Sequence, residues 1–197
     1  MATTSTSANS GIDICSRALI LVGANPITSF DDGSTESIVA VNMYEDITRA
    51  ALTNSRWRFA TEQAVLNTLS ATPTGRWELA SQLPNDLIML HGVTVNDQLI
   101  DYQIYGDMVY SNQSTTDQLV ADYSFRANEI NWPSYFTLAV EYSIAIVFAT
   151  AIARDASLAT LMTTQADKAM SKARNLDSQQ STTAKLTTSR FIVARTS

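Results

Sequence analysis

Residues 134–154 (SYFTLAVEYSIAIVFATAIAR) constrain the fold more than any other part of the sequence. Before Arg154 the stretch holds one charged residue, Glu141, and its apolar side chains occur all round the predicted helix. Such a helix must be enclosed on most sides by protein or by lipid, and about twenty residues also suffice to cross a bilayer. Because Glu141 lies at depth and no Lys/Arg cluster flanks the stretch, a buried central helix is favoured over a transmembrane one.

The bulk composition is that of a globular protein with a lightly charged surface. Its 197 residues suffice for one domain with a sizeable core. The single cysteine, Cys15, excludes an intrachain disulfide and an all-cysteine metal site, and without a signal-peptide pattern the expected compartment is a reducing cytoplasm. The net charge of −6 argues against a general nucleic-acid binder, which normally presents a basic surface.

Charge is distributed unevenly along the chain. Residues 1–153 carry six Lys/Arg against sixteen Asp/Glu, whereas residues 154–197 carry seven against three. This uneven charge distribution suits a molecule whose basic C-terminal end meets an acidic surface on another molecule. A solvated polar tail of chance composition explains the same numbers, so charge alone leaves both interpretations open.

Apolar periodicity predicts four helices, at about 11–23, 35–59, 134–154 and 157–177. In the second helix the expected buried face recurs at spacings of three and four: Ile38, Val41, Tyr44, Ile47, Ala51 and Leu52. The small and polar residues 1–10 are expected to form a flexible N-terminal arm. A single domain over residues 11–177 is therefore expected, followed by a tail over 178–197.

Between the second and third helices the pattern changes to that of short strands. Four segments are rich in β-branched and aromatic residues: Leu87–Val95, Leu99–Tyr105, Met108–Tyr110 and Gln118–Phe125. Turn-forming residues separate them. The predicted fold class is α+β: mainly an α-helical bundle of about four helices, with a small antiparallel β-sheet inserted at about 86–126 and an extended C-terminal tail.

The segment Arg56-Trp57-Arg58-Phe59-Ala60 interleaves basic and aromatic residues. Such a pattern can stack on and neutralise single-stranded nucleic acid. An isolated cluster of this size is more typical of an anchor, in which both aromatic rings are buried and both arginines point outward near a helix C-terminus. We therefore interpret the segment as an anchor.

No residue pattern indicates a catalytic, cofactor or metal site. The lone histidine, His91, lies inside a predicted strand without a nucleophile elbow, and one histidine with Cys15 cannot complete a zinc site. Five aspartates lie in or beside the predicted strands: Asp97, Asp101, Asp107, Asp117 and Asp122. Because paired carboxylates can hydrolyse glycosidic bonds, a glycan-degrading hydrolase is the alternative from another class.

Residues 178–197 differ in character from the rest. Nine of these twenty residues are Ser or Thr, and none is acidic. The run from Ser189 to Arg195 has a pattern of polar and apolar residues that suits a strand. It could add to a partner's sheet edge, with the flanking charges fixing its position. The predicted partner-binding residues are Lys185, Arg190, Phe191, Ile192, Val193 and Arg195. An unstructured terminus without a partner is the alternative.

A series of short segments occurs in one order along the chain: Ile14-Cys15-Ser16-Arg17-Ala18-Leu19 through Gly23, Ile27-Thr28-Ser29-Phe30, Tyr44 with Arg49 and Leu52, Trp57-Arg58-Phe59-Ala60, Leu83-Pro84-Asn85-Asp86, Tyr102 to Gly106, and the alanine-rich helix from Leu138 to Ala153. This series resembles the tail tubular protein A family, the head-to-tail adaptors of short-tailed, T7-like phages. The resemblance covers about residues 11–177 and leaves out both termini.

The resemblance implies a structural virion protein, not an enzyme, with no cofactor. Family members have a helical bundle with an inserted β-sheet. They form a ring, expected to match the twelvefold symmetry of the portal, between the portal protein and the tail nozzle (tail tubular protein B-like). DNA passes through the lumen without specific binding. The expected location is the head–tail junction of the virion, after assembly in the host cytoplasm and without a membrane.

The acidic loops of the predicted sheet, with Asp97, Asp101 and Asp107, are expected to face the lumen or the nozzle. An acidic lumen repels phosphate and lets DNA slide without sticking. The alternatives are a virion-associated cell-wall or glycan hydrolase that uses strand-borne carboxylates, and a small membrane-associated protein.

Overall fold

Four α-helices make up the helical part of the computed structural model, which describes residues 8–70 and 75–180. They are α1 Gly11–Leu21, α2 Thr35–Thr53, α3 Ser134–Ala151 and α4 Ala156–Ser178. Two short 3-10 helices, Arg58–Ala60 and Glu129–Asn131, lie next to the strands that separate α2 from α3. The predicted α+β class, with four helices, is confirmed.

Helix α3 is the central element of the bundle. Each of α1, α2 and α4 packs against it, and its buried residues are spread around the helix: Phe136, Thr137, Ala139, Val140, Glu141, Ile144, Ala145, Phe148 and Ala149. Among the described residues, α3 is also the one helix long and apolar enough to cross a membrane, and half of it is buried inside the protein. This packing agrees with the predicted core helix.

Four aromatic rings form the densest part of this core. Phe136 lies at the centre, with ring centroids 5.0 Å from Trp57, 4.9 Å from Phe59 and 4.9 Å from Trp132. Trp57 and Phe136 are fully buried. Edge-to-face and tilted pairs of this kind add to the free energy gained from burial. They join the chain after α2 to the start of α3.

The second helix is shorter than predicted, ending at Thr53 and not near residue 59. The backbone at Trp57 is extended, with φ −71° and ψ 130°, and the indole Nε1 donates a hydrogen bond to the carbonyl oxygen of Ala51 at 2.9 Å. A continued helix would not direct this ring into the core. The anchor interpretation holds for Trp57, which is buried, and for Arg56 and Arg58, which are exposed, but Phe59, predicted to be buried, is only half-buried.

The buried face of α2 is rotated from the predicted one. Its buried residues are Ser37, Ala40, Tyr44, Thr48, Ala51 and Leu52. Ile38 and Val41, predicted to be buried, are 56% and 51% exposed. The face that packs includes three small side chains, which let the backbone of α2 approach its neighbours closely. Hydrophobicity alone does not reveal such a fit.

Side-chain caps fix where the helices begin. Ser10 Oγ accepts a hydrogen bond from the backbone N–H of Asp13 at 3.2 Å and donates one to the Asp13 carboxylate at 2.7 Å. Asp155 caps α4 in the same way, through the N–H groups of Ser157 and Leu158. Since Ala8 is also buried, the predicted flexible arm is wrong for residues 8–10; residues 1–7 lie outside the described part.

The β insertion consists of two antiparallel sheets and begins earlier than predicted. Its strands are β1 Thr61–Val65, β2 Asn67–Thr68, β3 Leu79–Gln82, β4 Leu87–Val95, β5 Gln98–Leu99, β6 Tyr102–Tyr105, β7 Met108–Ser111 and β8 Val120–Phe125. The strand orders are β1-β8-β4-β5 and β2-β3-β7-β6. The predicted start at residue 86 missed β1 to β3, because β1 is a polar edge strand and β2 has only two residues.

A second hydrophobic cluster, separate from that of the helices, draws residues from both sheets: Leu66, Leu79, Leu83, Val93, Val109, Leu119 and Ala121. The turn between β4 and β5 contains Asn96 and Asp97 with φ of 49° and 63°, the left-handed geometry of a tight hairpin turn. The sheets therefore form a small unit with its own core, and its turns lie at the surface.

Phe136→Ala is expected to lower the free energy of unfolding by about 3–5 kcal/mol, because it empties the centre of the aromatic cluster. Leu138→Ala is the matched control on the same helix, since that side chain is 45% exposed, and it should cost less than half as much. Urea unfolding followed by tryptophan fluorescence measures both. Equal losses would contradict a core centred on Phe136.

Candidate assembly surfaces

Large apolar side chains remain exposed on several described elements. They are Ile20 and Leu21 in α1, Ile38, Val41 and Met43 in α2, Leu138 in α3, Leu161 and Leu176 in α4, Val65, Met89, Leu99, Ile104 and Tyr105 in the strands, and Ile130 before α3. Isolated exposed apolar side chains are ordinary, but groups of them mark surfaces where proteins associate.

One such group borders a groove between the start of α3 and the end of α4. The groove has a volume of about 310 Å³ and is lined by Ser134, Tyr135, Leu138, Ala169, Lys172, Ala173 and Leu176. A second depression of about 280 Å³ shares Ser134 and Leu138 and adds Ile130, which is 70% exposed. Together they form a largely apolar concave surface around Leu138.

Glu141 lies in the second depression, where it connects α3 to α1. It is buried, and its Oε1 lies 3.5 Å from Nη1 of Arg17. Burial raises the pKa of Glu141, although the charge of Arg17 acts in the opposite direction. The arrangement is an ion pair that holds two helices together and lies beside apolar surface.

Asp177, at the end of α4, fixes the point where the chain leaves the bundle. Its carboxylate accepts hydrogen bonds from the backbone N–H of Arg58 at 3.2 Å and from the Tyr135 hydroxyl at 3.0 Å. Gln180 Nε2 donates to the same hydroxyl at 3.3 Å. Burial, together with the bond to Asp177, raises the pKa of Tyr135 to about 12. The tail therefore starts from a fixed position beside α3.

Arg126 joins the end of β8 to α2. Its guanidinium group donates to Glu45 at 3.1 to 3.2 Å, to Glu129 Oε1 at 2.6 Å and to the carbonyl oxygen of Ala127 at 2.6 Å. Its Cζ lies 5.5 Å from the centre of the Trp132 ring. Two carboxylates, one carbonyl and one ring therefore hold a single cation.

Electrostatics within this cluster favour the charged forms of both carboxylates. Burial is the largest influence and acts to raise the pKa of Glu45 and of Glu129, but the hydrogen bonds from Arg126 outweigh it with the help of other donors, so both pKa values are lowered. The Tyr44 hydroxyl donates to Glu129 at 2.7 Å, and burial followed by this bond raises the pKa of Tyr44. The cluster therefore stays ionised at neutral pH.

The three acidic residues expected to face the lumen or the nozzle are all exposed, in turns or connections beside the strands. Asp97 lies in the β4–β5 turn, Asp101 lies directly before β6, and Asp107 lies in the β6–β7 turn. Asp107 Oδ2 accepts a hydrogen bond from Gln82 Nε2 at 3.0 Å. Their exposure makes them available for an electrostatic role, but which partner they face stays a prediction.

His91 and Asp122, two of the residues considered for catalysis, make structural contacts within the fold. His91 Nε2 lies 2.8 Å from Ser124 Oγ, but Ser124 is buried, so its hydroxyl does not reach a substrate. Burial, and secondarily the charge of Arg56, lowers the pKa of His91. Asp122 pairs with Arg56 at 3.3 Å. The described residues contain no cluster of His, Cys, Asp and Glu that could hold a metal.

The predicted partner-binding residues of the tail, Lys185, Arg190, Phe191, Ile192, Val193 and Arg195, lie outside the described residues. Their role stays a prediction from sequence. The groove at Leu138 and the clusters around Arg126 and Asp177 were not found by sequence reasoning. The alanine-rich α3 was the one signal for the groove, since small residues leave depressions between packed helices.

The described residues combine a helical bundle, an inserted pair of sheets and groups of exposed apolar side chains, and such groups mark surfaces where proteins associate. A family model described as tail tubular protein matches residues 12–186. The chain therefore belongs to the tail tubular protein family and is a structural component of a bacteriophage tail. No curated protein matches it. Membership of this family indicates a non-enzymatic role, and no finding favours the hydrolase.

Arg126→Met is expected to lower the free energy of unfolding at neutral pH by about 3 kcal/mol, because it leaves two carboxylates without their main partner. Arg49→Met is the control: Arg49 also pairs with Glu45, at 2.7 Å, but on the helix surface, and should cost less than about 0.5 kcal/mol.

The pH dependence of the free energy of unfolding has a defined sign. Since both carboxylates have lowered pKa values in the folded protein, their stabilisation is present above their ordinary value of 4.5 and is lost as the pH falls through the lowered values. The acid-side loss should be smaller in Arg126→Met than in the wild type. Urea titrations from pH 7 to pH 3 measure this loss, and the same change in the free energy of unfolding with pH in Arg126→Met and in the wild type would contradict this account.

Proposed function

We propose that this protein is the head-to-tail adaptor of a short-tailed phage, forming a ring between the portal and the tail nozzle that lines the DNA exit channel. The observation that carries the proposal is the family match over residues 12–186. The ordered series of segments that resembles the adaptor subgroup supports the finer assignment. On this proposal the ring matches the twelvefold symmetry of the portal and is located at the head–tail junction.

The sides of the helical bundle form the ring contacts. A ring made from one chain needs two different surfaces on each subunit that fit one another and close on themselves. The concave surface around Leu138 and the exposed apolar side chains of Ile38 and Val41 belong to different helices of the bundle. Both kinds of surface are thus available on each copy.

The β insertion supplies a separate surface with exposed acidic turns. Asp97, Asp101 and Asp107 carry negative charge toward the lumen or the nozzle. DNA phosphates are repelled by such a wall, so the DNA moves through without specific binding.

The C-terminal tail adds as a strand to the sheet edge of a partner in the assembly. Its start is fixed by Asp177 and Gln180, and its apolar run is flanked by arginines. Such a segment orders only when it binds its partner.

Mixing the purified protein with purified portal rings tests the adaptor assignment directly. We expect electron microscopy to show an additional ring on one end of the portal. A truncation after Gln180 should remain a folded monomer that no longer joins the portal, whereas deletion of residues 2–7, the matched loss of a short uncharged terminus, should have no effect. Absence of the additional ring with the wild type would refute the proposal.

Replacing Asp97, Asp101 and Asp107 together by asparagine tests the electrostatic role. We expect slower or incomplete DNA ejection from assembled particles, measured by dye release, because the wall no longer repels phosphate. The surface replacement Asp167→Asn on α4 removes the same type of charge elsewhere and is the control. Unchanged retention and ejection in the triple variant would rule out the acidic lumen.

A further inference from the structure

Strand β6 leaves an open edge on the second sheet. It ends the order β2-β3-β7-β6 and pairs with β7 on one side. Among the described residues no strand pairs with its other side. Ile104 and Tyr105 are 40% and 48% exposed. An apolar edge strand with free N–H and C=O groups is a template for another strand, and proteins normally cover or disrupt such an edge.

The charges around β6, together with its length, distinguish it from the other edges of the two sheets. Asp101 lies directly before the strand and Asp107 two residues after it, and both are exposed. The other long edge, β1, follows two exposed arginines, although β1 itself carries the exposed Glu62. The edge strands β2 and β5 each have only two residues, and β5 also lies between two acids, Asp97 and Asp101. A basic strand therefore finds acidic residues at both ends of β6 and basic residues near the start of β1.

The tail contains a segment of matching length and opposite charge. Its four residues 191–194 (FIVA) lie between Arg190 and Arg195, just as the four residues of β6 lie between two aspartates. In one antiparallel register Ile192 lies opposite Ile104. Phe191 then lies opposite Tyr105, Arg195 lies opposite Asp101, and Arg190 lies beside the turn that holds Asp107. Cross-strand pairs of these types each stabilise a sheet.

We propose that residues 190–195 of one copy add as an antiparallel strand to β6 of the neighbouring copy, and so link successive subunits of the ring. The inference rests on the proposed ring, because the occupant of the edge is a second copy of this chain. Tail and edge are two different, complementary surfaces on one chain, which is what a head-to-tail contact requires.

The tail is long enough to leave its own subunit. Gln180 is held beside Tyr135 in the helical bundle, whereas β6 belongs to the sheet unit with its separate core. Residues 181–189 connect Gln180 to the segment and span up to about 30 Å when extended. In the assembled ring Asp101 and Asp107 then pair with arginines, so the lumen or nozzle role proposed above for all three acids narrows to Asp97.

Disulfide trapping between two singly substituted chains tests the inference. One chain carries Ile104→Cys and the other Ile192→Cys, and they are mixed and oxidised with and without portal rings. The native Cys15 is buried, which raises its pKa to about 12 and keeps it unreactive. We expect a disulfide-linked dimer containing one of each chain. Val65→Cys, on the exposed edge strand β1, replaces Ile104→Cys as the control and should give none.

Charge reversal provides the second measurement. Adding Asp101→Arg and Asp107→Arg to the chain with Ile104→Cys should reduce the trapped dimer about tenfold, which corresponds to about 1.4 kcal/mol. Adding Arg190→Glu and Arg195→Glu to the other chain should restore it. Failure of this restoration would overturn the proposal.

The outcomes separate this inference from the adaptor assignment. Three results each overturn the inference. The first is that no dimer forms although the wild type forms rings on the portal. The second is that the chain with Ile192→Cys is trapped by the portal, and the third is that a chain carrying both cysteines forms the disulfide within itself. Dimer trapping without recruitment to the portal supports the strand addition and refutes the adaptor assignment.

Discussion

The enclosure of α3 by the other helices is the constraint on which the structure depends. A helix whose apolar side chains occur all round it must be covered on most sides, so α1, α2 and α4 each pack on part of it, while Leu138 stays exposed beside the groove. The aromatic cluster around Phe136 fastens the start of α3 to the chain that follows α2. The chain after α2 and the start of α3, more than seventy residues apart in sequence, are thereby joined. These are the two points at which the β insertion leaves and re-enters the bundle.

Two polar clusters hold the sheets and the start of the tail relative to this core. Arg126 ties the end of β8 to α2, so the sheets have a defined attachment to the bundle. Asp177 ties the end of α4 to Tyr135 and Arg58, so the tail begins at a defined place. Both clusters use partly buried ionic hydrogen bonds, whose geometry is more specific than that of apolar packing.

The sequence was informative where one local signal determined the structure. The uniform apolarity of 134–154 indicated the central helix, and the turn-forming residues after Val95 indicated the break between β4 and β5. It failed where tertiary packing decides. α2 ends early because Trp57 must enter the core, and its buried face includes Ser37 and Thr48 because close approach matters more than hydrophobicity. β1 was missed since a polar edge strand has no alternation to detect.

The same distinction applies to the assembly surfaces. Exposure of the acidic turns followed from their turn-forming residues and was predictable. The concave surface around Leu138 depends on how α3 and α4 pack, and no short sequence pattern encodes it. The complementary charges of β6 and the tail lie about ninety residues apart, and only the position of β6 at an edge of its sheet, which no local pattern encodes, makes them a possible pair.

Electron cryomicroscopy of the intact virion tests the central claim, that this chain acts by fitting between larger assemblies, most directly. The account predicts a ring of this protein between the portal and the nozzle, with α3 enclosed by protein and the concave surface around Leu138 covered by an adjacent subunit. A ring elsewhere in the tail, or one in which that surface faces solvent, would contradict it.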